Sequence, residues 1–176
     1  TDPITGTAAQ VLSTLQGTSN HSGSVTLTDA PSVAQLKAIN AATTGAITLH
    51  VTNGALSGSV ADLKAAFAGT VTTHTGTVEI TDSNTTDITA TDITTINTAS
   101  TGTIVVTNAI DINGSGAEVA TAFTAIDTNT GNATANITGN DYTVAQLKAI
   151  NDATTGTITL NTTNVTLSGS SADLVA

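Results

Sequence analysis

The sequence predicts an α/β fold, a repeat solenoid in which parallel strands alternate with short helices. One observation is that the segment VAQLKAINAATTG at residues 33–45 returns almost unchanged as VAQLKAINDATTG at residues 144–156. A second is that a glycine followed by alternating apolar residues recurs six times along the chain. Recurrence at periods of roughly 20 to 50 residues is typical of units that stack on one another.

The recurring glycines define the expected units, and shorter and longer intervals alternate between them. We expect residues 1–176 to form a single solenoid fragment of a longer protein, with a partial unit at residues 1–22. The units are expected to start near residues 23, 45, 76, 102, 131 and 156. A shorter and a longer unit make a double unit, and two double units with small insertions separate the two copies of the long segment.

Each unit is expected to open with a short parallel strand, because period-two alternation places the apolar residues on one face. In the segment GAITLHV, Ile47 and Leu49 fall on the inward face and Thr48 falls on the outward face. Ala133 and Ala135 take the inward positions of the fifth unit. Threonine and the β-branched apolar residues favour strands, because their stiff side chains pack well on a pleated surface.

A short helix is expected after each strand. Ser32 is a candidate N-cap, and Val33, Leu36 and Ile39 recur at helical spacing on one face. Thr143 is the candidate N-cap of the second copy of this segment. Helices of about ten residues are marginal alone in water, so these would be stabilised by packing against a sheet.

An all-β parallel β-helix is the alternative fold. Threonine-rich segments such as residues 89–101 have low intrinsic helix propensity and could form further strands instead. In a solenoid each unit buries its apolar face only against its neighbours, so the end surfaces need a cap or a partner.

The charge balance limits the kind of partner. The chain carries 13 Asp and Glu residues against three lysines, for a formal net charge of −10. Nucleic-acid binding relies on Lys and Arg side chains that neutralise phosphates, so no nucleic-acid partner is expected. No apolar run in the sequence approaches the roughly 20 residues that span a bilayer, so membrane insertion is not expected either.

The three histidines are the first candidates for metal or acid–base chemistry. His21 and His74 each lie two residues before a glycine that opens a unit, and His50 lies on an outward strand face. Because the sequence offers no cluster of further ligands at zinc spacing, we expect all three to be solvated, with no metal bound. The sequence also contains no catalytic motif, so we expect neither catalytic residues nor an enzyme.

Asp82 and Asp87 are the candidates for a calcium site. Calcium prefers oxygen ligands from flexible loops, and these two residues lie in the densest group of acidic residues. Neither the EF-hand spacing nor the glycine-rich calcium nonapeptide occurs in the sequence. Asp is also common at turns because of its own backbone geometry. No other cofactor is expected.

A regular outward face of threonines is the candidate binding surface. Thr26, Thr48, Thr134 and Thr159 are expected to stack across the units on the side away from the core. A flat array of this kind resembles the ice-binding face of solenoid antifreeze proteins. The alternative interpretation is that threonine is frequent here because of its high strand propensity.

The recurring segment VAQLKAIN(A/D)ATTG, together with strands such as GTITL, resembles the repeat tracts of very large bacterial cell-surface proteins, particularly cyanobacterial ones. The resemblance implies an extracellular or cell-surface location and a non-catalytic role as an extension, a stalk or a surface-layer element. The implied partners are neighbouring repeats of the same chain and other copies that associate end to end. An adhesive or ice-binding module that uses the threonine face is the alternative function.

Overall fold

The computed structural model describes residues 2–18, 20–50, 54–162, 165–170 and 172. Within these ranges the chain has a mixed α/β fold, and its paired strands run parallel. The predicted α/β class is therefore confirmed. The helices that the structure describes are α1 (Ala8–Leu15), α2 (Val33–Ala42), α3 (Val60–Ala66), α4 (Ala90–Ala99), α5 (Gly116–Ala125) and α6 (Val144–Ala153).

The strands are short, from two residues in β3 and β9 to four in β8 and β10. Those in the described ranges are β1 (Ile4–Gly6), β2 (Val25–Leu27), β3 (Ile47–Thr48), β4 (Leu56–Gly58), β5 (Val78–Ile80), β6 (Asp87–Thr89), β7 (Ile104–Val106), β8 (Asp111–Gly114), β9 (Thr128–Asn129), β10 (Thr134–Ile137) and β11 (Ile158–Leu160). None of the helices described here is both long enough and apolar enough to cross a bilayer.

The chain divides into two compact bodies. The first body holds Thr1–Glu79 and Thr95–Thr103, and the second holds Ile80–Thr94 and Ile104–Ala176.

In the first body, β1, β2 and β3 form a parallel sheet in that order. Ile4 pairs with Val25 and Val25 with Ile47, and the side chains of Val25 and Ile47 are buried. Helix α1 packs on α2 and α2 on α3. The buried strand residues and the buried helix faces thus form one apolar core within this body.

In the second body, β6, β8, β10 and β11 form a parallel sheet, with β8 and β10 at its centre. Ile88, Ile112 and Ala135 are register partners across three of these strands, and all three are buried. Strand β7 pairs with β9, also in parallel. Helix α5 packs on α6 and contacts β8 and β10, which covers the apolar face of the sheet.

Helix starts follow from local sequence. Ser32 Oγ accepts a hydrogen bond from the Gln35 amide at 3.2 Å, and Gln35 Oε1 accepts one from the Ser32 amide at 2.9 Å. This reciprocal capping box satisfies two amide groups that a helix start otherwise leaves without partners. Thr143 and Gln146 form the same arrangement at the start of α6. The N-caps predicted at Ser32 and Thr143 are confirmed, and Val33, Leu36 and Ile39 are buried as expected.

The all-β alternative is wrong, because the threonine-rich segment contains α4 (Ala90–Ala99). Ile93 and Ile96 on one face of this helix are both 0% exposed. Burying two isoleucines stabilises the fold by about 3–6 kcal/mol. The low helix propensity of threonine costs less than about 0.7 kcal/mol per residue, and α4 contains four threonines. Burial therefore outweighs intrinsic propensity.

The prediction that Ala133 and Ala135 take the matched inward positions of the fifth unit is wrong by two residues. Ala135 pairs with Ile158 and Ile137 pairs with Leu160, so Ala135 and Ile137 are the matched inward residues. A two-residue shift leaves every side chain on the same face, so the alternating pattern alone does not exclude it. The observed register is favoured because it buries the large Ile137 side chain, which is 0% exposed.

Candidate functional site

Two of the four predicted face threonines lie side by side. Thr26 of β2 is the register partner of Thr48 of β3, and Thr5 of β1 is the partner of Thr26 on the other side. Neighbouring strands of a sheet lie about 4.8 Å apart, so these residues form an evenly spaced row. Thr5 and Thr48 are exposed, whereas Thr26 is partly covered. The first body therefore presents a short threonine row, which we call the Thr5–Thr48 row.

The other two face threonines lie in a different sheet and in different rows. Thr134 is the partner of Asp111, and its Oγ1 lies 2.9 Å from Asp111 Oδ1. Thr159 is instead the partner of Asn136. Thr26 and Thr48 belong to the β1–β2–β3 sheet of the first body. Within the second body, Thr134 and Thr159 lie in different rows, because the two-residue register shift of β10 pairs Asn136 rather than Thr134 with Thr159.

The calcium candidates Asp82 and Asp87 have different surroundings. The backbone carbonyl of Asp82 accepts a hydrogen bond from Asn108 Nδ2 at 2.8 Å. Asp87 is exposed, and its Oδ1 accepts one from Asn113 Nδ2 at 3.2 Å. Asp87 is also the register partner of Asp111, which places two carboxylates on adjacent strands.

Calcium binding normally requires six to eight oxygen ligands around the ion. In the part of the chain that the structure describes, no group of three or more His, Cys, Asp and Glu side chains could hold a metal. Calcium at Asp82 or Asp87 stays a prediction.

A buried hydroxyl follows α2 and joins two segments of the first body. Thr43 Oγ1 donates to the His21 carbonyl at 2.6 Å and accepts from the Gly45 amide at 3.0 Å. The Thr44 amide donates to the same His21 carbonyl at 2.8 Å. Thr43 is only 7% exposed, so its hydroxyl would be costly to bury without these partners. We call this arrangement the hydroxyl clamp.

The hydroxyl clamp occurs again after α4. Ser100 Oγ lies 3.2 Å from the His74 carbonyl and accepts from the Gly102 amide at 3.0 Å. The Thr101 amide donates to the His74 carbonyl at 2.8 Å, as Thr44 does in the first clamp. The second clamp therefore reproduces both the hydroxyl and the backbone contacts of the first.

A third clamp follows α6 in the second body. Thr154 Oγ1 donates to the Ala133 carbonyl at 2.6 Å and accepts from the Gly156 amide at 3.0 Å. The sequence signal for all three clamps is Ser or Thr, then Thr, then Gly, directly after a helix. The recurring glycine alone predicts the start of a unit, whereas the role of the hydroxyl two residues before it becomes apparent only in the structure.

The glycines of the clamps are required by close backbone approach. A Cβ atom on Gly45 would lie 1.9 Å from the Gly23 carbonyl oxygen, and one on Gly102 would lie 1.9 Å from that of Gly76. Real Cβ atoms essentially never approach another atom this closely. These glycines thus allow the segment after a helix to lie directly against the preceding segment.

His74 is buried, and the prediction that it is a solvated residue is wrong. It is 2% exposed, and its ring lies 5.8 Å from that of Phe67. Its Nε2 lies 3.0 Å from the Gly54 carbonyl and its Nδ1 lies 3.3 Å from Ser100 Oγ. A carbonyl only accepts, so Nε2 carries the proton of the neutral ring. Burial lowers the pKa of His74 below its ordinary 6.5.

His21 and His50 are both partly covered rather than fully solvated. His21 occupies the same backbone position in the first clamp that His74 occupies in the second. Its Nε2 is enclosed and makes no hydrogen bond within the described structure. His74 is buried although it lies in a loop, because a loop residue held between two segments is covered by both of them.

The His74 and Ser100 side chains are the chemical parts of a base and a nucleophile, since a hydroxyl lies within reach of an imidazole nitrogen. Ser100 is only 4% exposed, however, and its oxygen already accepts from the Gly102 amide. A substrate atom would have to displace buried protein atoms to reach this oxygen. We therefore interpret the hydrogen bonds of His74 and Ser100 as structural.

The carboxylates of Asp62, which is partly covered, and Glu118, which is exposed, also have shifted pKa values. A hydrogen bond from Lys37, at 2.6 Å, lowers the pKa of Asp62, with a further contribution from Ser59. Hydrogen bonds from the amide and then the hydroxyl of Ser115 lower the pKa of Glu118. Both groups serve helix starts, since Asp62 lies in the first turn of α3 and Glu118 in that of α5.

The candidate functional features of the described chain are therefore the Thr5–Thr48 row, the Asp87–Asp111 pair and the three hydroxyl clamps. The first two lie on strand faces, and the clamps connect segments internally. No protein-family model, no curated protein and no solved structure matches the chain.

Proposed function

We propose that this chain is a non-catalytic structural segment of a very large exported surface protein, in which it acts as an extension, a stalk or a surface-layer element. In this proposal its strand–helix units are the turns of a solenoid, and its location is extracellular or at the cell surface. The observation that carries the proposal is the hydroxyl clamp, which binds the segment after a helix to the segment before it in three places.

The strand register supports the solenoid. Along the first sheet, the sequence step from Ile4 to its partner Val25 differs by only one position from the step between Val25 and Ile47. Along the second sheet, the successive partners also advance by steps that agree within one position, through Ile88, Ile112, Ala135 and Ile158. A nearly constant advance between adjacent parallel strands is what successive turns of a solenoid produce.

The mechanical argument follows from where the contacts are made. Helix α1 contacts α2 and α2 contacts α3, while β1 pairs with β2 and β2 with β3. When every unit contacts only its neighbours, adding a unit adds length and creates the same buried surface again. The partners in this proposal are neighbouring units of the same chain and further copies joined end to end.

The test is a longer chain made from the protein's own sequence. Residues 167–176 repeat most of residues 56–65, so a second copy of residues 66–176 can follow residue 176 in phase. We expect small-angle scattering to show one continuous particle. Its maximum dimension should increase by about four to five strand spacings of roughly 4.8 Å, or about 19–24 Å.

The matched control joins residue 176 to the same added copy through a flexible Gly/Ser linker, which leaves two independently moving parts. If the directly fused chain scatters like the linked control, or if its added residues are unfolded by circular dichroism, the solenoid proposal is wrong.

A second candidate function is an adhesive or ice-binding module, favoured by the evenly spaced Thr5–Thr48 row. Thr48 is exposed at one end of the row, so Thr48→Tyr would place a bulky ring over the binding face. The expected result is thermal hysteresis in the parent chain that is lost in Thr48→Tyr and retained in Thr121→Tyr, which changes an exposed residue of α5. A parent chain without hysteresis ends the ice-binding candidate.

A further inference from the structure

His74 lies at a joint where three segments of the first body meet. Its ring contacts the Gly54 carbonyl, the Ser100 hydroxyl and the Phe67 ring at the end of α3. Its backbone amide donates to the Ala99 carbonyl at 3.0 Å. Its own carbonyl is the acceptor of the second hydroxyl clamp. One residue therefore connects the chain before it and the chain after it through both side chain and backbone.

A positive charge on this ring would be poorly compensated. The pKa of His74 is lowered by burial, and only the carbonyls of Gly54 and Gly76 act in the opposite direction. No carboxylate is among the causes that act on this pKa. Within the first body, the charged and titratable residues on the segments around Gly54, Phe67 and Gly76 are His50, Asp62, Lys64 and Glu79.

The other two clamps show what the ring adds. The first clamp uses the carbonyl of His21, whose ring is less buried, and the third uses the carbonyl of Ala133. The clamp itself therefore needs only a backbone carbonyl. At the second clamp the same backbone position carries an enclosed imidazole, with 2% exposure.

We propose that His74 is an acid-sensitive joint, at which protonation of the enclosed imidazole opens the link between residue 74 and the clamp at Ser100–Gly102. The closed joint holds the neutral ring, with Nε2–H donating to Gly54 and Nδ1 facing the Ser100 hydroxyl. Opening exposes the ring to water, where the charged form is solvated.

The direction of the pH effect follows from the lowered pKa. In the open state His74 titrates near its ordinary 6.5, and in the closed state it titrates lower. The closed joint is fully stabilised above pH 6.5, and that stability is lost as the pH falls from 6.5 towards the pKa of the closed state. Over that window the opening equilibrium increases by up to about tenfold per pH unit.

The experiment is hydrogen exchange on the whole chain between pH 7.5 and 5.0, expressed as protection factors that remove the intrinsic pH dependence of exchange. The reporter is the Thr101 amide, which donates to the His74 carbonyl. The internal reference is the Thr134 amide, which donates to the Ile110 carbonyl in the second body. We expect protection at Thr101 to fall several-fold or more while protection at Thr134 is unchanged. An equal fall at both amides, or no fall at Thr101, overturns the proposal.

His74→Gln is the matched variant, because its side-chain amide can still donate to the Gly54 carbonyl but does not titrate in this range. The variant should abolish the pH dependence at Thr101. If the variant does not fold, direct titration of the His74 ring by NMR in the parent chain still tests the acid-sensitive joint. A midpoint below 6.5 is expected, and a midpoint at or above 6.5 overturns the proposal.

Discussion

Single hydroxyl groups determine how segments of this chain are joined. Thr43 and Thr44 are adjacent and identical, yet Thr43 is 7% exposed and makes two close hydrogen bonds while Thr44 is exposed. The sequence alone could not distinguish them, because both follow the helix and both precede the glycine. The distinction arises only when the His21 segment lies against them.

Thr43→Val tests the clamp at the residue scale. The substitution keeps the shape of the side chain but leaves the Gly45 amide without its acceptor. We expect the free energy of unfolding, measured by urea denaturation, to fall by about 1–3 kcal/mol.

Thr44→Val is the control, because the Thr44 hydroxyl is exposed and lies 3.4 Å from the His21 carbonyl. It should change stability by less than about 0.5 kcal/mol. Equal losses in the two variants would show that the buried hydroxyl has no special role.

At the scale of elements, the helices were predictable and the strand register was not. Helix α2 starts at a Ser-x-x-Gln capping box and buries residues three apart, and both signals are local in the sequence. Strand register depends on which residues of a distant strand are opposite. Because a shift of two residues preserves the faces, the alternating pattern predicts Thr134 and Thr159 in one row, whereas the partner of Thr159 is Asn136.

Leu36→Asp tests the buried face of α2. Leu36 is 0% exposed, so the variant would bury a carboxylate without a partner. We expect the free energy of unfolding to fall by several kcal/mol, in the range of about 3–5 kcal/mol that an uncompensated buried charge costs. Urea denaturation followed by circular dichroism measures the change.

The matched control is Ala41→Asp on the exposed face of the same helix. The second copy of the segment already carries Asp152 at this position, where it pairs with Lys148 at 3.0 Å. Ala41→Asp should therefore be nearly neutral, and a Leu36→Asp chain as stable as Ala41→Asp would contradict the inward orientation of Leu36.

At the scale of the whole molecule, we expect the free energy of unfolding to decrease as the pH falls. The chain has a net charge of −10, and hydrogen bonds lower the pKa values of Asp62 and Glu118 below 3.8 and 4.5 respectively. A carboxylate with a lowered pKa in the folded state stabilises the fold above its unfolded pKa. That contribution is lost as the pH falls through the folded pKa.

Glu118→Gln should therefore reduce the loss of stability between pH 5 and pH 2.5. Glutamine already completes the capping boxes of α2 and α6, so the helix start is preserved while the titrating group is removed. Urea midpoints measured across this range for both chains test the prediction. Identical loss in the two chains would mean that Glu118 does not contribute to acid unfolding.

The matching capping boxes and clamps of α2 and α6 have a consequence for inheritance. The segments 33–45 and 144–156, which follow the N-caps Ser32 and Thr143 and contain the clamp hydroxyls, differ only where Ala41 is replaced by Asp152. Unequal crossing-over between the two coding stretches would add or remove the whole interval that separates them. Each product would keep a complete cap before its helix and a complete clamp after it, so chain length could vary between lineages without a new interface having to evolve.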